Sequence, residues 1–90
     1  AAVGVDRDGK LVMMHVRAPF LMREVSAALA RPELRLAGAL FVEGGPEATV
    51  VVDGAAGDLL LVGSFETGFV EDDANVQPWT LPNLVALEKR

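Results

Sequence analysis

Two apolar runs, residues 3–5 and 11–16, flank the polar stretch Asp6-Arg7-Asp8-Gly9-Lys10, and this spacing sets the front of the chain as a β-hairpin. Asp-Gly at the centre of such a stretch is a short-range hairpin signal, because Gly9 accepts positive φ and Asp8 tolerates it better than most residues. Whatever follows must extend that hairpin or pack on it.

Helical periodicity comes next. Pro19 suits a first helical turn, where its missing N–H costs nothing. Leu21, Met22, Val25, Ala28 and Leu29 fall on one stripe, with Arg23, Glu24, Ser26 and Arg31 outside it. Pro32 stops the pattern. The stripe predicts a helix packed on a sheet; it is too short, and its polar face too mixed, for a helix lying on a membrane surface. Residues 37–42 then form an uninterrupted apolar run, as expected of a strand buried on both faces. Strand, helix and strand in this order predict a βαβ-like crossover. Residues 49–52 and 59–62 read as two more short strands, the second of them buried, around the turn Gly54-Ala55-Ala56-Gly57-Asp58. Residues 63–81 lack periodicity but contain Phe65, Phe69, Val70 and Trp79, so they predict a long loop pinned to the body rather than a disordered linker. Residues 84–87 predict a closing strand. The expected class is α+β: a mixed sheet with an N-terminal hairpin, one packed helix in the crossover, and further strands joined by the long loop.

Ninety residues make one unit at most. An apolar content of 51% is high for so short a chain, and Ala1-Ala2-Val3-Gly4-Val5 opens inside an apolar run with no polar lead-in. The expectation is a piece of a longer chain. There is no cysteine, hence no disulfide and no thiolate chemistry. No run approaches the roughly 18–20 apolar residues of a membrane-spanning helix. The net charge of −5 is unevenly spread. After Arg35 the only cations are Lys89 and Arg90, while Glu43, Glu47, Asp53, Asp58, Glu66, Glu71, Asp72, Asp73 and Glu88 crowd the same half. That half repels nucleic-acid backbones, so no nucleic-acid partner is expected.

Chemistry concentrates in Val42-Glu43-Gly44-Gly45-Pro46-Glu47-Ala48-Thr49, between two predicted strands. Paired glycines permit positive φ or close approach of a ligand to the main chain. Glu43 ends an apolar strand, where desolvation raises a carboxyl pKa, and Glu47 can offer a second carboxylate nearby. Two carboxylates in different environments suit acid/base or nucleophilic work at a sugar centre. The plain alternative is a Gly-Gly-Pro turn with two solvated glutamates. In the long loop, Glu66, Thr67, Glu71, Asp72, Asp73 and Asn75 are hard oxygen ligands, so a divalent cation such as calcium is the one cofactor left open; the spacing fits no EF-hand, and a solvated acidic loop is the favoured reading. Trp79 can offer a flat face to a sugar or anchor the loop. His15, without a Ser, Cys or second His in a recognisable arrangement, reads as a strand histidine with a structural hydrogen bond. No phosphate loop of either common type is present, and no metal ligand set is assigned.

Three segments together resemble the phosphodiester glycosidase family, whose founding activity uncovers mannose 6-phosphate by removing N-acetylglucosamine. Ala2-Val3-Gly4-Val5-Asp6-Arg7-Asp8-Gly9-Lys10-Leu11 is similar to the family's A-x-G-x-x-x-D-G-x-L hairpin. Leu40-Phe41-Val42-Glu43-Gly44-Gly45-Pro46-Glu47-Ala48-Thr49 stands at its N-L-D-G-G-G-S turn, and Leu81-Pro82-Asn83-Leu84-Val85-Ala86-Leu87 is similar to its closing strand. Glu43 takes the place of the motif aspartate, Gly44 and Gly45 match two glycines, Pro46 replaces the third, and Glu47 stands where serine is usual. The resemblance implies that residues 1–90 are the C-terminal part of such a domain, partnered by a missing N-terminal half, in an exported protein. It implies hydrolysis of a sugar-1-phosphodiester with Glu43 and Glu47 as candidate catalytic carboxylates, and Gly44, Gly45, Asn83 and Trp79 toward the carbohydrate. The altered turn keeps open a catalytically silent carbohydrate-binding or interaction domain of the same fold. A phosphodiester is an anion, so the acid-rich half must be offset by arginine or a bound cation.

Overall fold

The computed structural model describes residues 1–67, 70–72 and 74–89, with the backbone alone for residues 66–67 and 70–72. The hairpin forms as expected. Strand β1 (Ala2–Asp6) pairs antiparallel with β2 (Leu11–Met14), in the register Ala2↔Met14 to Val5↔Leu11. Its turn differs from the simple Asp-Gly type. Gly9 has φ +80, while Asp8 stays at negative φ. The turn is instead organised by Asp6, whose Oδ1 accepts from the N–H groups of Asp8 (2.9 Å) and Lys10 (2.8 Å). An aspartate that satisfies downstream N–H groups stabilises a longer turn, and that signal lies two positions ahead of the Asp-Gly pair.

Helix α1 (Met22–Leu29) begins later than Pro19 suggests, with Leu21 at its N-cap. Leucine has no side-chain acceptor, so only half of a capping box exists: the Glu24 carboxylate accepts the Leu21 N–H at 3.1 Å. Ala30 caps the other end. Arg31, just before Pro32, is extended, as the proline ring requires. A 3-10 turn, Pro32–Leu34, then delivers Arg35 at φ +52. Arg35 is tied to the hairpin tip twice: its carbonyl accepts the Arg7 N–H at 2.9 Å, and its guanidinium donates to Asp8 at 3.1 Å.

Strand β3 (Leu36–Phe41) pairs antiparallel with β1, giving the sheet order β2-β1-β3. Since β2 and β3 both run opposite to β1, they are parallel to each other. The β2–α1–β3 segment is therefore a βαβ crossover that straddles a central strand. Pairings Ala2↔Met14 and Ala2↔Phe41 put Met14, Ala2 and Phe41 in one row across the sheet. Residues directly opposite in antiparallel strands share a face. The face carrying Ala2, Gly4, Val12 and Met14 is buried or half-buried, and the face carrying Val5, Leu11, Met13 and Leu40 is exposed.

Two expectations of burial are corrected here. Residues 37–42 are not buried on either face: β3 is an edge strand, and Leu40 on one face is 75% exposed while Phe41 on the other is 55% exposed. Strand β5 (Leu59–Leu61), which pairs antiparallel with β4 (Val50–Val52), also leaves Leu59 and Leu60 exposed. An uninterrupted apolar run shows what a strand can bury, not what is there to cover it. Residues 63–81 are not a structureless loop, since they contain a hairpin of β6 (Phe65–Thr67) and β7 (Val70–Asp72). Residues 84–87 form no strand. They find no ladder, and Leu84, Val85 and Leu87 are exposed. The chain is thus α+β, with one α-helix, an N-terminal hairpin and three antiparallel sheets among the described residues.

Candidate functional site

The residues just after β2 stitch the two halves together. His15 Nε2 lies 2.9 Å from the Ala48 carbonyl oxygen, the structural bond expected of it. The Arg17 carbonyl accepts the Ser64 N–H at 3.2 Å. The Arg17 guanidinium donates to the carbonyls of Val62 and Asn75, both at 2.8 Å. Asn75 returns a bond from Nδ2 to the Gly63 carbonyl at 2.9 Å. These contacts pin the long segment to the body through its backbone, and they surround the small core of Ala48, Val62 and Ser64.

The turn after β3 packs on that core. A 3-10 turn, Gly45–Glu47, places Gly45 at φ +61, the left-handed region that favours glycine; Gly44 is extended at φ −127. So only one of the two glycines needs its freedom. The Ala48 N–H closes the turn on the Gly45 carbonyl at 3.0 Å. On the other side, the Ala1 nitrogen donates to the Glu43 carbonyl. Burial lowers the pKa of the Ala1 amino group, and the Glu43 charge opposes that shift.

Between α1, the row Met14–Ala2–Phe41 and this turn lies a cavity of about 180 Å³. Glu43, Gly44 and Gly45 line it, together with Arg17 and Ser64. The structure brings Glu43 and the glycine pair to one concavity as a unit. Glu43 itself is exposed at the rim, not walled in by apolar groups as the sequence suggests, and its Oε1 accepts the Gly44 N–H at 3.0 Å. Strand β3 ends in the open, which accounts for the difference.

The remaining sequence candidates lie elsewhere. Glu47 is half-buried and outside the cavity lining, so the two carboxylates do not share it. Trp79 packs against Phe65 with ring centroids 5.2 Å apart at 45°, and is 43% exposed. It anchors the segment after β7 and keeps part of its face open, away from the cavity. Asn83 is exposed and also outside the lining. Of the candidate cation ligands, the side chains of Glu66, Thr67, Glu71, Asp72 and Asp73 lie outside the described residues. Asn75 is engaged with Gly63 and Gln77. Among the described residues, no three His, Asp or Glu side chains converge on a common point, and no helix is long and apolar enough to cross a membrane.

Arg17 and Ser64 belong to no local motif. They meet Glu43 only through the fold. Thr49, next to the turn, carries a buried hydroxyl oxygen without a hydrogen-bond partner among the described residues. Thr49→Val should therefore raise stability by about 1 kcal/mol, since a buried unpaired polar group costs on that order. For a domain of this size that is a rise in Tm of roughly 4–8 °C. A thermal melt reads it, and a lower Tm would mean that the hydroxyl serves the turn.

Comparison with protein-family models, with curated proteins and with solved structures gives no match to this chain.

Proposed function

We propose that the chain is a hydrolase unit of the phosphodiester glycosidase type, in which Glu43 is the carboxylate at the sugar. The observation that carries this reading is the shared concavity of Glu43, Gly44 and Gly45, with the Arg17 cation in the same wall. In the reaction, water oxygen bonds to the anomeric carbon while the bond from that carbon to the phosphate oxygen breaks. The water proton passes to a base, and the electron pair leaves with the phosphomonoester. An ordinary glycosidase needs a second carboxylic acid because its leaving group is an alkoxide. A phosphomonoester has its second pKa near about 6 and leaves without that help. One carboxylate at the cavity among the described residues, with Glu47 outside its lining, is compatible with this chemistry. Arg17 supplies positive charge where the acid-rich half would otherwise repel an anion.

A second reading has its own support. The Glu43 carboxylate is already bonded to its neighbour's N–H, and among the described residues no second carboxylate joins it in the cavity. Both features suit a catalytically silent carbohydrate-binding domain. Turnover of a sugar-1-phosphodiester by the wild-type chain and by Glu43→Gln separates the two. The hydrolase reading expects a drop in kcat/KM of about a hundredfold or more, the usual range for a removed acid/base group. Undiminished turnover would take Glu43 out of the reaction. Binding without any turnover by the wild type would establish the silent domain.

A further inference from the structure

The open edge of β3 has a definite hydrogen-bonding phase. In an antiparallel ladder, alternate residues turn their N–H and C=O toward the same neighbour. The Val42 N–H donates to the Ala1 carbonyl at 3.0 Å, so Val42, Leu40 and Gly38 face β1. The hairpin agrees: the Asp6 N–H donates to the Lys10 carbonyl at 2.9 Å, which turns the even residues of β1 to β2 and leaves Val3 and Val5 for β3. Ala39 and Phe41 therefore turn their backbone groups away from β1, where no strand among the described residues meets them. Residues 37–41 are all exposed, with no proline and no charge among them. An edge of this kind is a template for one more strand.

We propose that a second copy of this chain supplies that strand: β3 pairs antiparallel with β3 of the other copy about a two-fold axis at Ala39. Backbone groups that point outward must meet outward groups, so Ala39 faces Ala39 across the axis. The side chains then fit large to small. Leu40 of each copy lies opposite Gly38 of the other, and Phe41 opposite Ala37. Leu40 is 75% exposed, and a Cβ added at Gly38 meets nothing within 4 Å, so the leucine has room to settle there. An axis at Leu40 would set the two leucines against each other. Charge selects the direction. Arg35 precedes the strand and Glu43 follows it, both exposed, and this register sets each Arg35 opposite the other copy's Glu43. Parallel pairing would set like charges together. Such exposed pairs add little affinity, but they discriminate between orientations. The open faces also join, with the row Met13–Val3–Leu40 running on into Gly38–Val5–Leu11 of the second copy. The outer edge of β2 is a poorer mate, because Leu-Val-Met-Met offers no small residue to receive Leu40, and head-to-tail joining would not close. The interface is independent of the hydrolase reading.

Sedimentation of the wild-type chain from micromolar to millimolar concentration should show a reversible monomer–dimer equilibrium that stops at two copies. Gly38→Val is the informative variant. Gly38 is not at positive φ, its added side chain enters open space in the monomer, and valine suits a strand. Circular dichroism should therefore be unchanged, while the dimer weakens at least about tenfold because the valine occupies the place of the other copy's Leu40. Cross-linking tests the register. The chain has no cysteine of its own. Residues facing each other in a hydrogen-bonded pair have Cα atoms about 5.5 Å apart, within the span of a disulfide. Ala39→Cys should thus cross-link to a dimer under mild oxidation, and Gly54→Cys, in the exposed turn between β4 and β5, should not. Should Gly38→Val fail to fold, the cross-linking pair still decides. A wild-type chain that stays monomeric at every concentration would overturn the proposal, as would growth beyond two copies. So would a folded Gly38→Val chain that dimerises as tightly as the wild type, or equal cross-linking through positions 39 and 54.

Discussion

Gly63→Ala should cost about 3 kcal/mol or more and largely unfold the second half of the chain. Gly63 is buried, and a Cβ built there would overlap the Gly45 carbonyl oxygen. It would also lie 2.9 Å from the Gly45 carbonyl carbon and 3.2 Å from the Ala48 Cβ. These are backbone atoms and a short side chain, so nothing flexible can swing aside. Relief requires the Gly45–Glu47 turn to lift off, and Ala48 would go with it. Its carbonyl is the partner of His15, so the join between the halves would open as well. Overpacking in a tight core typically costs 1–3 kcal/mol, and a clash with main chain exceeds that. A domain of this size is stabilised by only about 5–15 kcal/mol, and less where the core is small. Gly54→Ala is the control, since nothing lies within 4 Å of its added Cβ. Melting curves of the two variants should differ sharply; similar losses would show that the Gly63 contact is not close.

Arg17→Met should cost about 2–4 kcal/mol. Its guanidinium bridges the carbonyls of Val62 and Asn75, two backbone segments that no shared ladder joins. Hydrogen bonds from a charged donor contribute roughly 1.5–3 kcal/mol each. The Val62 carbonyl sits in a buried residue and would lose its donor without regaining water readily. Arg17 is half-buried, which tempers the total. Lysine cannot substitute, because one ammonium on a flexible stem does not span two fixed acceptors as the planar fork does. Denaturant midpoints at constant m would measure both variants. Full recovery by Arg17→Lys would assign the effect to charge alone.

The elements that could be read from the sequence were those specified locally. The hairpin follows from two apolar runs around Asp-Gly, the helix from its stripe and Pro32, and the crossover from their order. Burial was not legible. The six apolar residues from 37 to 42 look the same whether or not anything covers them, and β3 turned out to be an edge. The β6–β7 hairpin was missed because Phe-Glu-Thr and Val-Glu-Asp are too short and too charged to show a period. Leu84 to Leu87 misled for the opposite reason: the pattern suits a strand, but no neighbouring edge takes it. At the site, Glu43, Gly44 and Gly45 were visible as one contiguous turn. Arg17 and Ser64 were not, because nothing in their flanking residues marks them and only the fold brings them to Glu43.

The strand that begins the sequence is also the middle strand of the sheet, and its first residue lines the cavity beside Glu43. Any polypeptide joined ahead of Ala1 must therefore emerge at the site itself. A purification tag, a fluorescent fusion or a natural leader would all crowd the same rim, and would displace the Ala1–Glu43 contact or shade the entrance. Fusions placed after Lys89, where the backbone lies outside every ladder and away from the cavity, would leave that rim clear.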